Sequence, residues 1–534
     1  MNLNRRDALK LGGLAAFGAA AAALPLGSTV NGGTPSKLPS KNMPKPFQRT
    51  FTPLKVLAPV EKLVNNKPVH TYHIDAKAGL AEIVPGLKTP VLGYEGVVPA
   101  YRIDAEQGIP IEMTMCNQLP KVHPTFGTPV NISTHLHGSA SLPQYDGYAD
   151  DVTPYHHKKT YKYPNFQPAR TLWYHDHGVH YTAQNAYSGL ASQYHLHDPM
   201  ERSLLPQGEY DVALTLSDMM FNANGSQLYD DRSHSGLWGD VILVNGAPWP
   251  VMKVKRRIYR FRLLNSSISR SYKPTLSPAA PFHMVATDGG LMPKTKAVSS
   301  FRTGSAERYE FLIDFSQFKV GQRVEMRNLS NPNNRDYDFT NKIMAFDVVD
   351  GPIDTSGPAA TTIPVDLNTG GDVMKLADTK GLKVRNIRVQ KSDLTGEWSL
   401  NGQTWHDVVD SKYKSVLADP KLNATEIWEI ENKSGGWFHP VHIHLIDFKI
   451  LSRNGKPAFD HELGPKDVVY VGEGEKVRLV MKFGPHRGKY MIHCHNLPHE
   501  DHDMMHQFSV GLDADYVDVN DPIEADKPVY DNDF

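Results

Sequence analysis

The stretch RIYRFRLL, residues 257–264, alternates apolar and charged side chains. On an extended backbone successive side chains point to opposite faces, so Tyr259, Phe261 and Leu263 share one face while Arg260 and Arg262 share the other. That pattern is a strand with a buried face and, as the simplest reading, a solvated basic face. The same pattern recurs at TYHIDA (71–76), YRIDA (101–105), IEMTM (111–115), RYEFLIDF (308–315), EIWEIEN (426–432) and VRLVMKF (477–483), each run short and ended by Gly, Pro or Asn. Long amphipathic helical periods are not apparent, and 41 Gly with 39 Pro provide for many turns. An all-β protein is expected. At 534 residues the chain exceeds what one core usually serves, and roughly two to four domains follow.

Two internal echoes point to repeated units. SAERYEFLIDF from Ser305 resembles GEKVRLVMKF from Gly474, and VNGAPWP from Val244 resembles LNGQTW from Leu400. The Pro, Thr and Gly-rich stretch near 351–375 reads as a linker, and a further boundary falls near 205, after YHLHDP. This divides the chain into units at 47–205, 206–350 and 376–512, with a flexible linker at 31–46 and an acidic tail at 513–534.

A net charge of −1, from 57 basic and 58 acidic residues, gives no global field toward nucleic acid or anionic lipid, and neither is expected as a partner. Residues 1–30 contain Arg5-Arg6, an Ala-rich apolar run through Leu24 and small residues, the zones of an export signal rather than a membrane span. The arginine pair resembles a twin-arginine signal, which predicts a periplasmic or secreted protein; an ordinary secretory signal or a retained anchor shares the same zones. Oxidising surroundings would permit a disulfide between Cys116 and Cys494. We expect none, because Cys116 sits in a strand-like run as a small buried hydrophobe and Cys494 has another use.

That use is metal binding. Histidine occurs 25 times, and four clusters stand out: HLH at 135–137, HDH at 175–177, HPVHIH at 439–444 and HCHNLPHEDHDMM at 493–505. His-x-His places two imidazoles on one strand face. One such pair is usually incidental, but four in one chain point to metal. Cys494, His499 and Met504 follow at spacings of five and five, and with His439 they supply a thiolate, two imidazoles and a distant thioether, the donors of a blue copper site. His439 lies at odd offset from His442 and His444 and so faces away from them on a regular strand. If Cys494 points to one side, His493 and His495 point to the other. Eight histidines then remain, enough for three further ions.

These motifs, in this order, resemble the copper-binding signatures of the multicopper oxidases, and the chain is most similar to the bilirubin oxidase members of that family. The likeness runs from about residue 130 to the tail, through YDGYADD, ARTLWYHDHGVHYTAQNAYSGL, WGDVILVNGAPWP, YRFRLLN and GGWFHPVHIHLIDFKI. It implies three cupredoxin-like Greek-key β-barrels and four coppers per chain. By the family pattern His439, Cys494, His499 and Met504 would bind the type 1 copper and His135 and His442 the type 2 copper, while His137, His175, His177, His444, His493 and His495 would hold the type 3 pair. The activity implied is one-electron oxidation of bilirubin, phenols or aromatic amines coupled to four-electron reduction of dioxygen to water, by an enzyme acting as a monomer.

Asp146, in YDGY, and Glu500, beside His499, occupy the family's proton-relay positions; support of metal-bound imidazoles is the alternative role. Asp176, Asp501 and Asp503 receive no role. Trp437, two residues before His439, either lines the entry for substrate electrons or simply packs. Three other functions are weighed. A copper store or one-electron carrier would need only the mononuclear site, and the eight further histidines argue against it. A cuprous oxidase would display a Met-rich segment, whereas the 17 Met here are scattered. A non-catalytic exported scaffold would have lost ligands, and none is missing.

Overall fold

The computed structural model describes residues 35–367, 371–377, 379–512 and 518–523. The expected signal at 1–30 lies outside the described residues, as does most of the acidic tail. Strands between Val60 and His197 form a five-stranded and a four-stranded sheet; those between Asp211 and Val348 form a seven-stranded and a four-stranded sheet; those between Lys383 and Val510 form a five-stranded and a four-stranded sheet. Each stretch is a barrel closed on the apolar side of its alternating strands. Ile74, Met113 and Met115 fill the first, Phe261, Leu263 and Phe311 the second, and Trp428, Ile430 and Leu479 the third. No described helix is long and apolar enough to cross a membrane.

The sequence echoes are topological equivalents. In each barrel an early strand pairs in parallel with a later one: Lys67–Ala81 with Ile111–Gln118, Asp211–Met219 with Ile258–Asn265, and Lys383–Lys391 with Thr425–Asn432. Parallel neighbours require a crossover, which excludes a simple meander. The echoing runs then pair antiparallel with the later strand, Arg308–Asp314 in the second barrel and Lys476–Lys482 in the third. The Asn-Gly echoes are tight turns. Asn245 and Gly246 have φ of 50° and 74°, and Asn401 and Gly402 have 55° and 79°, the left-handed values that a two-residue hairpin loop of the right twist demands.

One expectation fails in the segment that opened the reading. Arg260 and Arg262 are 1% and 0% exposed, not solvated. The alternation is right, but the polar face of this strand lies against the first barrel. Arg260 Nε donates to Glu310 Oε2 at 2.9 Å, and Arg262 Nη2 donates to Asp211 Oδ2 at 2.8 Å and to Glu201 Oε1 at 2.9 Å. Thr171 of the first barrel donates to Glu310 Oε1 at 2.7 Å. Burial alone would raise Glu201, but Arg260, a hydrogen bond from His197 and Arg262 together outweigh it and hold this carboxylate far below its usual range. Removing one member of such a network strands a buried charge. Glu310→Ala should therefore destabilise the protein by about 3–5 kcal/mol, read as a lowered midpoint in thermal unfolding; an unchanged midpoint would show that the arginines find other partners.

A second correction concerns the linker expected at 31–46. Its described part, 35–46, is seated on the second barrel: Lys37 N donates to Phe221 O at 2.7 Å, and Leu38 and Met43 pack against that core. Two apolar side chains in a polar stretch suffice to anchor it. The connection after residue 350 likewise lies on the second barrel, with Leu367 fully buried and its N–H donating to Pro293 O at 3.2 Å.

Candidate metal centre

Strand register sorts the histidines. His439–Ile443 pairs antiparallel with Gly488–Cys494, with Val441 opposite Cys494 and His442 opposite His493. Opposed residues share a face, so His439, Val441 and Cys494 point into the third barrel while His442 and His493 point out of it. In the first barrel His135 stands opposite His175, and His137 and His177 follow at period two on the same face. The outward histidines of the third barrel thus meet those of the first.

Inside the third barrel, His439 Nδ1 lies 3.3 Å from Cys494 Sγ, His499 Nδ1 lies 3.8 Å from the same sulfur, and the two Nδ1 atoms are 3.3 Å apart. The other ring nitrogens are occupied. His439 Nε2 is 2.8 Å from Ser434 Oγ, and His499 Nε2 is 3.2 Å from Ser235 O. Both imidazoles therefore turn Nδ1 toward the sulfur. Asn496 N–H donates to Sγ at 3.3 Å, and Cys494 N–H donates to Met504 O at 3.0 Å, which brings Met504 into the same buried group. Burial pushes the Cys494 thiol well up, so a thiolate here needs a cation beside it.

Between the barrels the polarity is reversed. His135, His175 and His442 turn Nδ1 to the carbonyls of Asp146, Asp176 and Asp467, the latter two at 2.7 and 2.9 Å, and His444 Nδ1 lies 2.7 Å from Asp146 Oδ2. Their Nε2 atoms point inward. His493 Nε2 stands 3.1 Å from His177 Nε2 and 3.2 Å from His444 Nε2, and His135 Nε2 stands 3.4 Å from His442 Nε2. His137 is inverted: its Nε2 meets Asp467 Oδ1 at 3.1 Å, and its Nδ1 has no hydrogen-bond partner among the described residues. His175 Nε2 and both nitrogens of His495 are equally unpartnered. Triads of donor atoms close enough for one ion are His177, His444 and His493; His137, His175 and His495; His135, His137 and His442; and His439, Cys494 and His499.

Burial lowers His135, His137, His442, His444 and His495 well below the ordinary imidazole range, His175 to about 3 and His177 to about 4, so these rings are neutral with lone pairs free. Buried polar atoms without partners are costly. So many on one concave set of histidines fit metal ions.

Sequence profiles of the multicopper oxidase family match residues 76–201 and 384–513. The chain is 37% identical to bilirubin oxidase of Albifimbria verrucaria over 85% of its own length and 78% of that protein. The laccase of Bacillus subtilis is 32% identical over 79% of this chain and 90% of its own. The chain belongs to the multicopper oxidase family. Among solved structures, the McoA multicopper oxidase of Aquifex aeolicus covers 87% of this chain and 99% of its own, with a TM-score of 0.76 at 26% identity. The three barrels are cupredoxin-like, and the protein is a copper oxidoreductase with oxygen as acceptor.

Around the metal-binding groups of this multicopper oxidase, two carboxylates touch the histidines. Glu500 Oε2 lies 2.8 Å from His493 Nδ1, and Oε1 lies 3.5 Å from His177 Nδ1. Burial would raise Glu500, but its contacts with His493 and His177, a hydrogen bond from His493 among them, lower it to about 2. Burial pushes Asp146, beside His444, well above the carboxylate range, with Lys159 offsetting it only in part.

Several contributors were invisible in sequence. Asp467 braces His137 and is itself held by Arg308, whose Nη1 donates to Asp467 Oδ1 at 2.6 Å. Neither lies in a histidine motif, and no spacing connects 308 with 467. Trp398 stacks flat on His499 with ring centroids 3.8 Å apart, while Trp437 meets the same ring edge-on at 5.5 Å. Two acids given no role have structural ones: Asp176 accepts from Ser133 N and Asn185 Nδ2, both at 2.9 Å, and Asp501 accepts from Thr182 N and Ala183 N at the start of the helix Thr182–Ser188. Asp503, also without an assigned role, meets His406 Nδ1 at 3.0 Å.

Proposed function

We propose that this enzyme takes single electrons from organic donors at a type 1 copper held by His439, Cys494, His499 and Met504. Dioxygen is reduced to water at three coppers held by His135 and His442 (type 2) and by His137, His175, His177, His444, His493 and His495 (type 3). The observation that carries the reading is the two-sided register around Cys494: its sulfur joins the mononuclear group, and its chain neighbours His493 and His495 join the cluster. Bound copper would supply one-electron transfer at the first site and dioxygen reduction at the second.

The chain's own residues do the rest. Ser434 fixes His439, and Ser235 fixes His499, with Nδ1 forward. The covalent path from Cys494 to His493 and His495 is a few bonds long. The Glu500 carboxylate, set against His493 and His177, and Asp146 Oδ1 can hold and pass the protons that water formation consumes.

For the donor, bilirubin and related aromatics are favoured over Cu(I). Trp398, Trp437 and Trp238 gather beside His499, and the ammonium of Lys391 lies 4.5 Å from the Trp398 ring centre while Arg335 lies 5.6 Å from that of Trp238. A half-buried Trp437, backed by the buried Trp398 and Trp238 and edged with cations, suits a flat donor that carries carboxylates. Lys391→Glu should raise KM for bilirubin by about 10-fold, since one or two kcal/mol of attraction becomes repulsion, and should change KM for a neutral methoxyphenol little. Equal effects on both donors would remove Lys391 from recognition. The test of the donor class is oxygen uptake by the copper-loaded protein with bilirubin, a methoxyphenol and Cu(I) in parallel. Fast uptake with the organic donors supports the reading; preference for Cu(I) replaces it with copper detoxification.

Export through a twin-arginine route is part of the proposal and rests on Arg5-Arg6. Replacing both with lysine should retain the protein in the cytoplasm, and unchanged export would refute that route.

A further inference from the structure

Cys116 is buried in a strand, as its sequence suggested, but it does not join the apolar core of the first barrel. In the strand Ile111–Gln118 the core takes Ile111, Met113 and Met115, while Cys116 falls on the opposite, outer face with Thr114 and Gln118. On the neighbouring parallel strand Lys67–Ala81, Tyr72, Ile74 and Ala76 enter the core and His73 and Asp75 share that outer face, with Asp75 in register with Cys116. A thiol, an imidazole and a carboxylate are thus brought together on the five-stranded sheet of the first barrel, whereas the HLH and HDH histidines of that barrel lie on or beside its four-stranded sheet.

We propose that His73, Asp75 and Cys116 form a further metal site, for a thiophilic d10 cation such as Zn(II). His73 Nε2 lies 3.5 Å from Cys116 Sγ and 3.4 Å from Asp75 Oδ1. Tetrahedral zinc with ordinary bond lengths separates sulfur from nitrogen by about 3.6 Å and nitrogen from oxygen by about 3.4 Å. Two of the three donor edges therefore match before any ion arrives, and the third is within 4.8 Å. Cys116 is fully covered while the His73 side chain is 64% exposed, so an ion reaches the sulfur from the His73 side, where water can complete four-coordination. Gln118 Nε2 donates to Asp75 Oδ1 at 2.9 Å and Lys77 Nζ lies 3.3 Å from Oδ2, which orient the carboxylate. Burial pushes the Cys116 thiol up to about 11, so the incoming cation displaces its proton to solvent.

The test uses the fully copper-loaded protein, so that Cys494 is engaged, with Zn(II) as the probe and X-ray absorption at the zinc edge as the readout. One retained zinc per chain with a sulfur neighbour at about 2.3 Å is expected. Cys116→Ser should remove that sulfur neighbour and weaken zinc retention at least 10-fold, and His73→Ala, at an exposed position, should weaken it similarly; blue absorption and copper content should stay unchanged in both. The chain has only two cysteines. A zinc–sulfur distance that survives in Cys116→Ser would therefore come from Cys494 and overturn the proposal, as would zinc held by nitrogen and oxygen alone, or no retained zinc.

Discussion

Cys494→Ser is expected to abolish the intense blue absorption and reduce oxidation of every donor to background while leaving the protein folded and the histidine cluster able to hold copper. The thiolate is the soft ligand that defines the mononuclear group, and a serine hydroxyl at the same place is hard, weakly acidic and a poor copper donor. Cys494 is packed among Val441, Ile492, Met504 and other apolar side chains. Exchanging sulfur for oxygen there costs about 1–3 kcal/mol, because the new hydroxyl is buried with few partners, and that is small enough for the barrel to survive. Four of the cluster histidines point the other way from or just beyond the same two strands and the other four belong to the first barrel, so their copper should remain. Visible and paramagnetic resonance spectra with metal analysis check this. Strong blue absorption in the variant would show that the mononuclear assignment is wrong.

The second large effect is expected from Glu500→Gln. The carboxylate faces His493 with Oε2 at 2.8 Å and His177 with Oε1 at 3.5 Å from their Nδ1 atoms. An amide keeps the volume and one acceptor but can no longer carry a proton. Turnover with saturating donor should fall about 10²- to 10⁴-fold, the usual range for a lost proton-transfer group. Copper content should not change, and bleaching of the blue colour by donor without oxygen should keep its rate, because that half-reaction needs no proton at the cluster. If the variant loses cluster copper instead, Glu500 is a brace for His493 and the relay must be sought at Asp146.

Much of this was legible because strands alternate strictly. Period two placed His493 and His495 opposite Cys494, and the odd offset of His439 from His442 and His444 put it on the sulfur's side, as the register of His439–Ile443 and Gly488–Cys494 shows. The Asn-Gly echoes marked equivalent hairpins because few other residue pairs take two successive left-handed conformations. What alternation cannot tell is which neighbour covers a strand's second face. Arg260 and Arg262 read as solvated because Glu201, Asp211 and Glu310 come from other elements. Asp467 and Arg308 were missed for the same reason, and the outer-face position of Cys116 went unread because a buried cysteine can lie on either face of a sheet.

The most direct test of the central claim is the electron count. In the copper-loaded protein, copper per chain should be four, and four molecules of a one-electron donor should be consumed for each dioxygen, with no hydrogen peroxide released. Two electrons per dioxygen with accumulating peroxide, or one copper per chain with no oxygen consumed, would contradict the assignment of the eight histidines to a cluster that reduces dioxygen to water.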